Sequence, residues 1–136
     1  MGEEARRLVA EFFAALGRGE LPAHLMAEEF SAWILTSGEM EGSRFVLGVR
    51  LLGEIFGGTL TYEVDSVTAE GDRIAAEVRS HGRFTDGEPF ANVHVFVLEL
   101  CEGKIARVKE YMDPGPVRTQ IGPRLAARLE GGGGAR

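Results

Sequence analysis

Five polar residues stand among apolar neighbours at strand spacing: Glu77 and Arg79, Asn92 and His94, and Glu110. Their types could do acid/base chemistry. Two carboxylates can divide the acid and base roles when their surroundings push their pKa values apart. A guanidinium beside them orients a carboxylate or stabilises an oxyanion, and an imidazole carries protons near neutral pH. Glu110 is therefore read as general acid/base, Arg79 as its orienting partner, Glu77 as the second carboxylate, and His94 as a further catalytic group. Asn92 is read with His94 as substrate-polarising. Glu110 interrupts the apolar set Ile105, Val108 and Met112. Plainer arrangements also fit: Glu77 and Arg79 as a solvent-facing pair, His94 as a satisfied core histidine, or Glu77–Arg79–Glu110 as an ion network that serves only itself.

The remaining chemistry-bearing residues exclude more than they suggest. The chain has no GxSxG, P-loop or GxGxxG motif. Its three histidines lack metal-ligand spacing, so neither a metal nor another cofactor is expected. Cys101 is the single cysteine, which rules out an internal disulfide. With 15 basic and 21 acidic residues the net charge is −6, unsuited to gripping a phosphate backbone. No run reaches the ~18 apolar residues of a spanning helix, and the acidic start is not a leader. A cytoplasmic protein with no nucleic-acid or membrane partner is expected.

The elements that must position these residues come in two blocks. Leu8, Phe12 and Leu16, with Ala5, Val9 and Phe13 beside them, make one stripe of a helix over residues 3–18. A short helix is expected around residues 21–27, a strand over 30–35, and a loop over 37–42. Ser43 is a candidate N-cap for a helix carrying Phe45, Val49, Leu52 and Phe56. After residue 58 the period falls from 3.6 to 2. Turns at Glu70-Gly71-Asp72, Thr85-Asp86-Gly87-Glu88 and Glu102-Gly103-Lys104 divide four strands, and Pro114 and Pro116 end the last one. A short helix over 117–130, with Leu125 and Leu129 inward, precedes a glycine-rich flexible tail. The reading is one α+β domain, residues 1–130, plus a tail of 131–136.

The strand from Phe90 to Leu100 is apolar on both faces. Helices cover one. Val93, Val95 and Val97 on the other predict a homodimer joined through the outer sheet face. Asn92 and His94 then look inward, and register is expected to bring Glu77, Arg79 and Glu110 to the same interior. Trp33, Phe13, Phe56, Tyr62 and Met112 are candidate walls of a pocket for a small apolar ligand.

The stretches Val67 to Glu77, Gly87…Phe90-Ala91-Asn92-Val93-His94, Glu102-Gly103-Lys104-Ile105 and Glu110-Tyr111-Met112-Asp113 resemble the SnoaL-like branch of the nuclear transport factor 2-like superfamily. The resemblance runs from the first helix to Asp113. It implies a cone-shaped curved antiparallel sheet wrapped around N-terminal helices, usually dimeric. That superfold hosts isomerases, cyclases, epoxide hydrolases, dehydratases and binders. Limonene epoxide hydrolase-like proteins carry an arginine and an aspartate two apart on the third strand and a second aspartate near the end of the domain. Glu77, Arg79 and Glu110 match those positions with the strand order swapped, and Ala32 to Ile34 replace the early-strand tyrosine and asparagine. Against ketosteroid isomerase, Phe12 and Phe13 stand where a tyrosine is needed, and Trp33, Ile34 and Leu35 where the base belongs. The polyketide cyclase pattern needs an acid near the end of the last strand, which Glu110 or Asp113 supplies, with His94 as a further proton carrier. The resemblance implies isomerisation, cyclisation, hydration or epoxide hydrolysis of a small apolar substrate, or else a non-catalytic binding or dimerisation module.

Overall fold

The computed structural model describes residues 2–134, with side chains to residue 130. Three helices pack in and around one curved, unclosed six-stranded sheet, the expected α+β cone. Helix α1 (Gly2–Gly17) buries Val9, Phe12, Phe13 and Leu16 against the concave face of the sheet. Strand β1 (Met26–Ile34) turns through a hairpin into β2 (Gly38–Glu41), and α2 (Gly42–Phe56) follows. A meander of β3 (Thr61–Glu70), β4 (Arg73–Arg83), β5 (Pro89–Cys101) and β6 (Lys104–Met112) completes the sheet. Single helical turns over residues 114–121 lead into α3 (Gly122–Gly134).

Four local expectations are corrected. Residues 23–25 form only one tight helical turn, because β1 begins at Met26, whose side chain is buried. The expected loop 37–42 contains strand β2, an edge strand with half-exposed side chains and thus little apolar signal. Ser43 lies inside α2, whose N-cap is Glu41 and carries no side-chain cap. The final helix runs through Gly131–Gly134, where a tail was expected, and residues 135 and 136 lie outside the described residues.

The sheet order is β2-β1-β6-β5-β4-β3. It is mixed rather than purely antiparallel, since β1 runs parallel to β6, pairing Ile34 with Glu110. Irregular register at Asp65 in β3 and between Glu99 and Leu100 in β5 gives the local twist and bend that a curved sheet needs. Strand alternation is clean. Ile74, Ala76, Val78 and Ser80 of β4, and Phe90, Asn92, His94, Phe96 and Leu98 of β5, point inward and are buried. Each large apolar side chain so removed from water is worth about 1.5–3 kcal/mol.

The two helices of the core touch through glycine. A Cβ on Gly53 of α2 would sit 2.7 Å from the Cα of Gly19, just past α1, whereas a Cβ on Gly48 of the same helix would meet nothing within 4 Å. The same substitution is therefore expected to have opposite signs. Gly48→Ala gains about 0.5–1 kcal/mol from helix propensity. Gly53→Ala loses about 1–3 kcal/mol to overpacking, because backbone must move. Urea unfolding midpoints of the two variants check this; a stabilised Gly53→Ala would refute the close approach.

Candidate functional site

Glu110 reaches the interior because β6 alternates from Val108 onward, past an irregularity at Ala106. Val108, Glu110 and Met112 face inward while Lys109 and Tyr111 face out. On β5, His94 pairs with Met112 and Phe96 pairs with Glu110, so His94 and Glu110 are diagonal neighbours on one face. His94 Nδ1 lies 2.9 Å from Glu110 Oε2. On the other side of the ring, His94 Nε2 lies 2.7 Å from the hydroxyl of Ser80 on β4. The chain Ser80–His94–Glu110 is thus continuous. The His94 side chain is 6% exposed and that of Glu110 16%. With Glu110 as a carboxylate and a neutral ring, Nδ1 is the donor to Glu110 and Nε2 the acceptor from the Ser80 hydroxyl.

Glu110 is the end of this chain that meets open space. It lines a cavity of about 270 Å³ enclosed by β1, α2, the β1–β2 turn and the C-terminal segment. Most of the wall is apolar, including Leu16, Ile34, Val49 and Leu52, and Ile121, Leu125 and Leu129 roof it. Arg124 clamps the roof: it pairs with Asp86 at 2.8 Å and Glu88 at 3.2 Å and lies 3.8 Å over the Phe84 ring. Arg128 adds a contact to Glu54 at 3.1 Å.

Tyr62 of β3 also lines this cavity. Its ring packs on Phe13 at 5.3 Å and on His94 at 5.7 Å. Burial, and secondarily the charge of Glu110, push its phenol far above the ordinary tyrosine value. Tyr62 therefore stays an O–H donor at every ordinary pH.

Of the residues expected at the site, the cavity brings together Glu110, Tyr62 and Met112, with His94 directly behind Glu110. The others lie elsewhere. Glu77 and Arg79 occupy the outer face of β4, because Val78 rather than either of them pairs with inward His94. There Arg79 grips Asp65 through contacts of 2.8–3.1 Å, holding that carboxyl below its usual range, and Ser66 donates to Glu77 at 2.6 Å. The expected interior cluster of Glu77, Arg79 and Glu110 does not assemble, nor does a self-contained Glu–Arg–Glu network. Trp33 is also on the outer face, 5.0 Å from Tyr111, since it pairs with outward Lys109. Asn92 faces in but spends its amide on the Asp113 carbonyl and the Val93 N–H. Phe13 and Phe56 belong to the two core clusters and not to the cavity wall.

Sequence reasoning missed Ser80, although its position two beyond Val78 put a hydroxyl on an apolar face. It also missed Arg44, Thr36 and Ser37 at the cavity mouth, which no periodicity marks. Among the described residues no group of His, Cys, Asp and Glu is arranged to hold a metal, and no helix is long and apolar enough to cross a membrane.

The model of the SnoaL-like domain matches residues 9–108. No curated protein matches the chain. Among solved structures, a protein of Jannaschia sp. CCS1, provisionally assigned as a SnoaL-like polyketide cyclase, is 21% identical with a TM-score of 0.73, over 88% of this chain and 92% of that one. AclR of Streptomyces galilaeus, provisionally assigned as a hydroxylase, is 20% identical with a TM-score of 0.76, over 90% and 98%. A nuclear transport factor 2-like protein of Anabaena variabilis is 23% identical with a TM-score of 0.71, over 82% and 87%. At these identities the likeness is one of fold.

The raised pKa of Tyr62 has a consequence for stability. The folded state keeps the phenolic proton after the unfolded chain, near the ordinary value of about 10, has begun to lose it. Its contribution is whole below pH ~10 and is lost as pH rises beyond that, at up to about 1.4 kcal/mol per pH unit. Denaturation between pH 8 and 11.5 should show this slope in the wild type and a shallower one in Tyr62→Phe. Equal slopes would contradict the buried phenol.

Proposed function

Given that the chain belongs to the SnoaL-like domain family, we propose that it is a cofactor-independent enzyme that moves a proton on a small, mainly apolar carbonyl compound. The observation that carries this reading is the Glu110 carboxylate on the wall of an apolar cavity, backed by His94 and Ser80. Glu110 takes a proton from the carbon next to the substrate carbonyl. The Tyr62 O–H donates to the enolate oxygen as charge gathers there, without itself ionising. Glu110 then returns the proton to a different carbon, an isomerisation, or the enolate carbon bonds to a second carbonyl carbon, whose π bond opens to an alkoxide that takes the proton back from Glu110, a cyclisation. Ser80 is a positioning residue that acts through His94 on Glu110. Hydration or epoxide opening is less well served, because the arginine and second carboxylate such a step was expected to use stand on the outer face.

Deuterium uptake from D₂O into cyclohexenone and phenylacetone, followed by NMR, tests the proposal. Glu110→Gln, which keeps an acceptor for His94, should slow catalysed exchange about 10²–10⁴-fold. Tyr62→Phe should slow it about 10²-fold. Exchange at the wild-type rate in Glu110→Gln would remove Glu110 as the base.

One observation favours a second reading, a ligand-binding module without turnover: no buried side-chain nitrogen or oxygen among the described residues lacks a partner. Ligand binding with no exchange by the wild type would select it.

The same proposal includes a homodimer through the outer sheet face. Val93 is 57% exposed and Val95 38%, beside Tyr111 at 38%, and together with the half-buried Val97 they make an apolar strip. Sedimentation at micromolar concentration should give a dimer that Val93→Glu with Val95→Glu converts to monomer. A wild type that sediments only as monomer defeats this part.

A further inference from the structure

The cavity wall carries a cationic group as well as the acid/base group. Arg44, in the first turn of α2, lines the cavity together with Thr36 and Ser37 of the β1–β2 turn. The Leu35 N–H donates to the Glu110 carbonyl at 3.0 Å, so this turn begins just beyond the strand position of Glu110. Among the described residues Arg44 has no carboxylate partner, and neither do Arg6, Arg7, Arg50, Arg83 and Arg118, while Arg79, Arg107, Arg124 and Arg128 are each paired with one. The hydroxyls of Thr36 and Ser37 likewise make no hydrogen bond among the described residues. Of these unpaired guanidinium groups, Arg44 is the one that lines the cavity shared with Glu110.

We propose that the molecule bound here is a small apolar acid whose carboxylate is read at the mouth by Arg44, flanked by Thr36 and Ser37, while its hydrocarbon body fills the cavity toward Glu110. This rests on the reading of the cavity as a small-molecule site and adds the substrate class. The planar fork of arginine matches the two oxygens of a carboxylate, and hydroxyls supply further donors to the same anion. The sign and place of the charge follow from Glu110. A second anion beside that carboxylate is repelled in a poorly solvated site, so the ligand's charge belongs at the exposed Arg44 guanidinium rather than beside Glu110. The size follows from the volume: about 270 Å³ is the space of roughly nine waters at ~30 Å³ each, enough for one ring and a short chain.

Hydrocinnamate and its uncharged methyl ester are matched probes. Calorimetric or NMR titration of the wild type should show the acid binding at least about tenfold more tightly, the scale of one charge-assisted contact. Arg44→Gln should erase that preference and leave ester affinity unchanged, and Arg44→Lys should restore part of it. Glu110→Gln should keep the preference intact, which separates this inference from the assignment of the base. Equal affinity for acid and ester in the wild type, or a preference that survives Arg44→Gln, overturns the inference while the cavity reading stands. Failure of both probes to bind at millimolar concentration overturns both.

Discussion

A carboxylate on the inner face of an apolar sheet costs free energy unless a donor holds it, and here the His94–Glu110 hydrogen bond does so. Much of the surrounding structure serves that contact. His94 can keep Nδ1–H toward Glu110 only while Nε2 has its own partner, which Ser80 supplies from the next strand. The three side chains meet because β4, β5 and β6 run in one fixed register, Val78 opposite His94 and Met112 opposite His94 on the other side. A slip of one residue in either pairing would send Ser80 or Glu110 to the outer face and leave the imidazole unsatisfied in the core. The polar chain and the strand register therefore stabilise each other.

The cavity exists because the helices do not fill the cone. Helix α1 plugs the end where Phe12, Phe13 and Phe96 interlock edge to face. Toward Glu110 the filling is left to α2 and the C-terminal segment, which stand off the sheet and meet each other through Leu52, Ile121 and Leu125. The roof is attached chiefly through Arg124 and Arg128, at exposed carboxylates. Exposed ion pairs contribute little each, so the C-terminal helix is the covering element whose attachment owes least to deep burial. The cavity's roof is thus held by exposed ion pairs, and its Glu110 wall by the packed sheet.

Much of this was legible in the chain. The stripe of Leu8, Phe12 and Leu16, the three glycine turns and the two-residue period after residue 58 gave the α+β class, the family resemblance implied the cone, and alternation placed His94, Asn92 and Glu110 inward. What alternation within a strand cannot give is parity between strands. Ile74, Ala76 and Val78 formed the apolar face of β4, which put Ser80 with them and Glu77 and Arg79 opposite. Bringing the latter pair to Glu110 required a register that the turn over residues 84–88 does not provide. Trp33 was misplaced for the same reason: its face depends on a parallel pairing with a strand some 75 residues away in the chain. Strand β2 escaped notice because an edge strand with only half-buried side chains leaves no hydrophobic period. Arg44 sits on an exposed helical position, and only the folded chain shows that a cavity opens beside it.

The central claim is that His94 is locked between the Glu110 carboxyl group and the Ser80 hydroxyl. The ¹⁵N resonances of the His94 ring report this directly in the unliganded protein. The account predicts a single tautomer at neutral pH, protonated at Nδ1, with Nε2 shifted as a hydrogen-bond acceptor and with Ser80→Ala releasing Nε2 alone. A ring protonated at Nε2, or one averaging between tautomers as free imidazole does, would contradict it.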